Sequence, residues 1–299
     1  MPKTADEIFQ DKIKFLTDAE AAMDKGVKAF QRQVFELIVT ELLPEFKLDA
    51  DGRIANTRAN VALVARIDMI FDSLLDTLTA DVLTPFANSL IQSTSLSAEY
   101  YVALGFKQTV IDNLTRNKVF IERRIGIDAK GRLLKNQYLY SLGQTAEVRQ
   151  TLKDYVIRSL TGDVSFKDFQ LGFRNLVIGN RRQKGLATTG VLQRYFDQYA
   201  YDSFNQFDEV ANSQLAKGLN LEHFVYEGSI IDTTRPFCKK RAGKAFKVSD
   251  TKNWKNDPDL IDKKTKDSYR PLIERGRYRC RHFIKYITEA VYNELTGNA

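Results

Sequence analysis

The stretch from residue 223 to residue 246 reads HFVYEGSIIDTTRPFCKKRAGKAF, and the character of the chain changes there. Short apolar runs alternate with turn residues and basic residues, a pattern that is typical of a small α+β unit. Both cysteines and both histidines of the protein lie between His223 and His282. We therefore expect any specific chemistry of the protein to lie in this part of the chain.

The sequence ahead of this stretch predicts helices. A capping box at Thr4–Glu7 opens the first helix. A long apolar stripe from Thr57 to Leu83 predicts a helix that Pro85 breaks, and aromatic residues recur at helical spacing from Leu192 to Leu215. Only 6 prolines and 16 glycines occur in 299 residues, which favours long helices over many short strands.

We predict a mainly α fold, in which an elongated helical N-terminal body precedes a small α+β C-terminal module. The predicted division is a helical N-terminal region at residues 1–150, a helical core at residues 151–220 and a basic α+β module with the Cys/His cluster at residues 221–299. No run of 18 apolar residues occurs, so we expect no membrane-spanning helix. The polar N-terminus lacks the apolar segment of a signal peptide, which predicts synthesis in a cytoplasm.

Positive charge is concentrated in the C-terminal module. The chain has a net charge of +7, and residues 235–299 carry 17 Lys and Arg against 8 Asp and Glu. A basic module on a near-neutral body favours an anionic partner such as nucleic acid or an acidic protein surface, and the alternative is a solvated face without a partner. The candidate nucleic-acid-binding residues are Lys239, Lys240, Arg241, Arg275, Arg277, Arg279 and Arg281.

The cysteines and histidines form a candidate metal site. Cys238, Cys280 and His282 would provide three ligands for a tetrahedral zinc ion, and His223 would provide a fourth. Their spacing matches no standard zinc finger. Two alternatives stay open, because the two cysteines would also be compatible with reduced thiols in a core or with a disulfide formed outside a reducing cytoplasm.

The sequence gives little support to catalysis. A nucleophilic Cys238 would need a neighbouring histidine as its base, and the chain has only two histidines. Neither of the glycine-rich phosphate-binding patterns, GxxxxGK[ST] and GxGxxG, occurs in the sequence. We therefore expect a non-enzymatic protein that has no small-molecule substrate.

The module resembles a known family, the Mu F-like minor head proteins, which are the head morphogenesis proteins of tailed phages. The likeness extends weakly to residues 165–179 and more clearly to residues 188–218, so that it covers about residues 150–285. Three residues depart from the family pattern: Ala242 and Arg277 stand where the family has histidines, and His282 stands where it commonly has cysteine. The residues that carry the resemblance are Asp232, Thr234, Arg235, Pro236 and Cys238, then Gly243, Lys244 and Phe246, then Cys280, Arg281 and His282.

The resemblance implies a structural role in viral assembly. Members of this family are minor components of the procapsid, associated with the portal vertex or with the inside of the shell. The resemblance implies the portal protein or the major capsid protein as the partner, with DNA as a further one. It also implies a location in the host bacterial cytoplasm during assembly and then in the virion. The alternative function is a stand-alone nucleic-acid-binding protein with a metal-stabilised basic C-terminal domain.

Overall fold

The computed structural model describes residues 2–115, 126–128, 132–162, 164–180, 188–261 and 267–297. Over these residues the protein is mainly helical, and a small antiparallel sheet lies in the C-terminal region. The predicted fold class is therefore confirmed. None of the helices in these ranges combines the length and the apolar character that a membrane span requires.

The first helix, α1, runs over Ala5–Leu37, and the predicted capping box is present at its start. The backbone N–H of Thr4 donates to the Glu7 carboxylate over 2.7 Å, and the Thr4 hydroxyl accepts from the Glu7 N–H over 3.3 Å. After α1 the chain widens into a π turn at Ile38–Leu42 and tightens into a 3₁₀ turn at Leu43–Glu45. Pro44 lies in this last turn, where a helix is expected to stop.

The next helical path is divided into short segments, and it continues beyond Pro85. The segments are α2 (Arg58–Ala62), a 3₁₀ turn (Leu63–Ala65), α3 (Arg66–Ser73), α4 (Leu75–Leu78), a π turn (Thr79–Leu83) and α5 (Thr84–Ala103). The prediction of one helix that Pro85 breaks is wrong. Pro85 is the second residue of α5, two residues after the π turn ends, so the change in helical pitch occurs where its missing N–H would interrupt regular hydrogen bonding.

Further helices and a two-residue pairing lead to the long helix before the C-terminal module. These elements are α6 (Gln108–Thr115), α7 (Tyr138–Gly143), α8 (Ala146–Thr161), α9 (Phe166–Ile178), β1 (Gly179–Asn180), β2 (Thr188–Thr189) and α10 (Val191–Gly218). Ser165 caps α9, because its hydroxyl accepts from the Asp168 N–H over 3.1 Å.

The C-terminal region is a three-stranded antiparallel sheet with short helices between its strands. Its elements are β3 (His223–Glu227), α11 (Pro236–Lys239), β4 (Ala245–Lys247), a 3₁₀ segment (Val248–Asn256), α12 (Pro271–Glu274), β5 (Phe283–Ile287) and α13 (Glu289–Thr296). Strand β3 is central, and its Phe224 lies opposite Phe246 on β4 and Tyr286 on β5.

Aromatic side chains form the core of this region. Trp254, the single tryptophan of the protein, is surrounded by four aromatic rings whose centroids lie 5.4 to 6.0 Å from its own, all with near-perpendicular planes. Such edge-to-face contacts add to the free energy gained from burying the rings. The four rings belong to Phe224, Tyr226, Phe237 and Phe246.

The chain divides into two compact units, and each combines stretches that are distant in sequence. The first unit comprises Met1–Asp18, Asn88–Arg123 and Tyr201–Ala299, and the second comprises Ala19–Ala87 and Arg124–Ala200. The division into residues 1–150, 151–220 and 221–299 refers to consecutive segments and stays a prediction. The C-terminal sheet and all the residues of the candidate site belong to the first unit.

Candidate metal centre

Three of the four predicted ligands meet in the interior of the first unit. The Cys238 and Cys280 sulfurs are 3.8 Å apart, and the Cys280 sulfur is 3.9 Å from Nδ1 of His282. The ligand atoms of the three residues all lie within 4.8 Å of one another, and all three residues are buried. This group of side chains could bind a metal ion, as the sequence predicts.

The residues that carry the resemblance, here called the signature residues, include a turn at residues 231–236, the signature turn, which positions Cys238. The Thr234 hydroxyl accepts from the Ile231 N–H over 2.8 Å, and the Thr234 N–H donates to the Ile231 carbonyl over 2.9 Å. Pro236 then begins α11, as expected for a residue that lacks an N–H and has a fixed φ. The Cys238 N–H donates to the Arg235 carbonyl over 3.0 Å, which fixes the cysteine within this short helix.

Arg235 connects the turn to the segment that carries the second cysteine. Its guanidinium donates to the backbone carbonyls of Gly276 and Tyr278. A planar guanidinium presents several N–H groups in a fixed arrangement, so one side chain can hold two carbonyls. The signature arginine is therefore a bridge between two segments that are distant in sequence.

The segment before Cys280 has an unusual backbone. Arg275, Arg277 and Arg279 have φ angles of 49°, 61° and 54°, a region that residues with a side chain seldom adopt. Gly276 lies among them against the cluster, where an added Cβ atom would be 2.4 Å from the Cys238 sulfur and 3.3 Å from the Cys280 sulfur. Only glycine allows this approach of the backbone to both thiols.

Tyr226 completes the enclosure of the cluster. Its hydroxyl oxygen lies 3.4 Å from the Cys238 sulfur and 3.5 Å from the Cys280 sulfur, and its ring stacks on the His282 ring with centroids 5.1 Å apart. In the sequence, Tyr226 is recognisable only as the last residue of a short apolar run. The one indication in the sequence of which way Tyr226 points is the two-residue alternation of β3, which places Tyr226 on the same face of the strand as Phe224.

Electrostatics favour a thiolate at Cys280. The hydrogen bond with the Cys238 thiol lowers the pKa of Cys280 well below its ordinary value, and the His282 ring and the charge of Arg275 act in the same direction against burial. The same hydrogen bond and burial raise the pKa of Cys238. Burial, followed by charge at the two cysteines, raises the pKa of the Tyr226 phenol.

A buried ion pair lies behind the cluster. Arg275 donates to the Glu209 carboxylate of α10 over 2.6 Å, and both side chains are almost fully enclosed, with 2% and 1% of their surface exposed. The same carboxylate accepts from the Ile284 N–H of β5 over 2.9 Å. Burial raises the pKa of Glu209 and Arg275 opposes this shift, so the arginine helps to keep the carboxylate ionised. This pair fixes the segment before Cys280 to the long helix.

The remaining signature residues form the connection between β3 and β4. Gly243 has a φ of 74°, and its N–H donates to the Tyr226 carbonyl over 2.9 Å. The Lys244 carbonyl accepts from the Tyr226 N–H over 3.0 Å, while the Lys244 side chain is exposed. Phe246 stacks on Phe224. Asp232 is exposed next to the turn.

The structure does not bring His223 to the cluster. His223 is three residues from Tyr226 on β3, and residues an odd number apart point to opposite faces of a strand. Its ring packs against Tyr292 of α13, with centroids 4.3 Å apart. The assignment of His223 as the fourth ligand is therefore wrong.

The predicted basic surface is smaller than the sequence suggests. Arg241, Arg275 and Arg277 are buried, and Arg241 lies over the Phe237 ring while it donates to the Asp257 carboxylate over 2.6 Å. These three side chains hold the module together, so they are unsuited to direct contact with nucleic acid. The candidate residues that are exposed are Lys239, Lys240, Arg279 and Arg281.

The spacing of the two sulfurs fits a tetrahedral metal ion, whereas the 3.9 Å between the Cys280 sulfur and Nδ1 of His282 is longer than the about 3.5 Å expected when both bind one zinc ion. Zinc–sulfur bonds of about 2.3 Å at tetrahedral angles place two sulfurs about 3.8 Å apart. The observed distance is 3.8 Å, and both cysteines are free thiols. All three ligands are buried, and among the described residues no fourth cysteine, histidine or carboxylate joins them. Comparisons of the chain with protein-family models, with curated protein sequences and with solved structures find no match.

Proposed function

We propose that this protein is a structural component of a phage head, similar to the Mu F-like minor head proteins. In this proposal the C-terminal module is stabilised by zinc and docks on the portal protein or on the major capsid protein. The observation that supports it best is the assembly of the separate signature segments into a single enclosed site. Residues 232–238, 243–246 and 280–282 each supply a part of that site or of the sheet beside it.

Zinc would be held by Cys238, Cys280 and His282. It would supply a cross-link between α11 and the segment that enters β5, and its binding free energy would add to the stability of the module. The residues of the chain already bring the ligand atoms together through Arg235, Gly276 and the neighbouring sheet. The role of the metal is therefore stabilisation of a docking module.

The enclosure of the cluster supports a non-enzymatic role. Cys238, Cys280 and His282 are 2%, 4% and 3% exposed, so a substrate would have to displace packed aromatic rings to reach them. The neighbouring signature residues form hydrogen bonds with the backbone or pack against the sheet. This distribution of roles suits a protein that assembles with others.

The nucleic-acid-binding alternative receives less support. Three of the seven candidate nucleic-acid-binding residues are buried, and a fourth, Lys240, pairs with the Asp259 carboxylate on the surface. Contact with packaged DNA would therefore depend on Lys239, Arg279 and Arg281. We propose DNA as a secondary partner, and docking on a head protein as the principal role.

The test of this function is co-purification. The full chain, produced together with the portal and major capsid proteins of the same gene cluster, should purify with portal rings or with procapsids. A Cys238→Ser, Cys280→Ser double variant should lose zinc and bind the particles more weakly. Absence of the wild-type chain from both procapsids and virions would contradict the proposal.

A separate measurement tests the metal. Zinc should be present at about one ion per chain in protein purified without chelators. Thiol titration in denaturant should find two reduced cysteines, which distinguishes a zinc site from a disulfide. Zinc-free protein with two oxidised cysteines would show that the cross-link is a disulfide.

A further inference from the structure

The cluster leaves a fourth position that no predicted ligand takes. Among the residues that the structure describes, no further histidine, cysteine or carboxylate joins Cys238, Cys280 and His282. His223 lies on the other face of β3. A structural zinc ion takes four ligands, so a different kind of donor has to complete the set.

The Tyr226 hydroxyl lies where such a donor is required. Zinc–sulfur bonds of about 2.3 Å and a zinc–oxygen bond of about 2.0 Å place oxygen and sulfur about 3.5 Å apart at tetrahedral angles. The observed distances from the Tyr226 oxygen are 3.4 Å to Cys238 and 3.5 Å to Cys280. The oxygen and the two sulfurs therefore match three corners of one tetrahedron.

The position of Tyr226 is fixed by its surroundings. Its strand is paired on both sides, its ring lies between the His282 ring and the edge of Trp254, and the residue is fully buried. The hydrogen-bond partners found for its hydroxyl are the two sulfurs. A donor that is held in place before the metal arrives loses little entropy on binding.

We propose that Tyr226 is the fourth metal ligand, so that the site is a Cys₂-His-Tyr centre with a phenolate oxygen. This inference rests on the metal site of the proposed function. On coordination the O–H bond of Tyr226 breaks, a metal–oxygen bond forms and the phenol proton passes to the buffer, together with the thiol proton of Cys238. The charges of Arg235 and Arg275 next to the sulfurs offset the excess negative charge of two thiolates and one phenolate.

The experiment follows the phenol directly. Full-length protein is stripped with a chelator and titrated with Zn²⁺ alone, while the near-ultraviolet difference spectrum records conversion of tyrosine to tyrosinate. The wild-type protein should show the signal of one tyrosinate at one equivalent of zinc. Tyr226→Phe should lack this signal, and Tyr286→Phe, which removes another buried hydroxyl of the same sheet, should keep it.

Affinity gives a second readout. Competition with a chromophoric chelator should show a loss of at least about tenfold in zinc affinity for Tyr226→Phe. A hydroxyl that only donates hydrogen bonds to the sulfurs would lower the affinity without a tyrosinate signal, and that result would overturn the inference. If the phenylalanine variant does not fold, the absence of a tyrosinate signal from the zinc-loaded wild-type protein still overturns the inference.

The two proposals fail in different ways. If the wild-type protein binds zinc without forming tyrosinate, Tyr226 is not a ligand and the three-residue site stands. If the wild-type protein binds no zinc and behaves as the Cys280→Ser variant does, the proposed metal site itself is wrong. Zinc binding with one tyrosinate supports both.

Discussion

Alanine in place of Gly276 is expected to disrupt the metal centre. The added Cβ atom would lie 2.4 Å from the Cys238 sulfur, whereas ordinary contacts begin at 3.4 Å, so the sulfur or the backbone must move by about 1 Å. Overpacking of this kind costs about 1–3 kcal/mol of folding free energy. A metal site tolerates ligand displacements of about 0.2 Å, so we also expect zinc to be lost.

Urea unfolding measures the first effect, and metal analysis of the purified variant measures the second. The fluorescence of Trp254 reports on the correct region, because this single tryptophan packs against Phe237 and Tyr226 beside the cluster. Gly243→Ala is the matched control. A Cβ atom at residue 243 would meet no atom within 4 Å, but the φ angle there is 74°. We therefore expect the variant to lose about 1 kcal/mol of folding free energy to backbone strain and to retain its zinc.

The reasoning would be refuted by a Gly276→Ala variant that unfolds at the wild-type urea concentration with its full zinc content. Such a result would mean that the two sulfurs are not held against this backbone. A variant that loses stability and keeps zinc would show that the overlap is relieved away from Cys238. Equal zinc loss in both glycine variants would point to a general effect of strain.

Three further variants test the packing of the first unit. Arg275→Met should destabilise the protein by about 3–5 kcal/mol in urea, because it leaves the Glu209 carboxylate buried without its partner. Arg241→Ala should cost about 2 kcal/mol by the same measurement, against less than about 0.5 kcal/mol for the exposed Lys239→Ala. Burial, the largest single influence, would raise the pKa of Asp257, but the hydrogen bonds from Arg241 and the Asp259 N–H and the charges of Arg241 and Lys240 together outweigh it and lower this pKa. The Arg241–Asp257 pair therefore adds to the free energy of unfolding at neutral pH, and this contribution disappears as the pH falls below the ordinary aspartate range. In urea unfolding repeated at several acid pH values, Asp257→Asn should show a weaker dependence of stability on pH than the wild-type protein.

Features that depend on neighbours in sequence could be predicted. The caps at Thr4 and Ser165 require only a hydroxyl and a backbone N–H three residues later, and both are present. The proximity of Cys238, Cys280 and His282 was also predicted, because they are three of the four cysteines and histidines in the chain. Composition was informative here because these residue types are so rare in the sequence.

Features that depend on distant partners could not be predicted. Glu209 appears in the sequence as an ordinary helical carboxylate, and its partner Arg275 is 66 residues away. Tyr226 appears as an apolar strand residue, and only the register of the sheet shows what its hydroxyl faces. Net charge likewise overstated the basic surface, since it counts a buried arginine such as Arg241 and an exposed one alike.

The order of the sheet has a consequence for how the first unit forms. Strand β3 is the middle strand, and it can pair with β4 early, since only the signature turn and α11 separate them. The other edge of β3 pairs with β5, which lies in residues 280–287 together with Cys280. Because these residues are distant in sequence from β3, this pairing has a high contact order and forms slowly. In a chain that emerges from the ribosome, Cys238 would thus be a reactive, unshielded thiol until β5 has been synthesised and has paired. A chaperone or a reducing environment would matter most during this period.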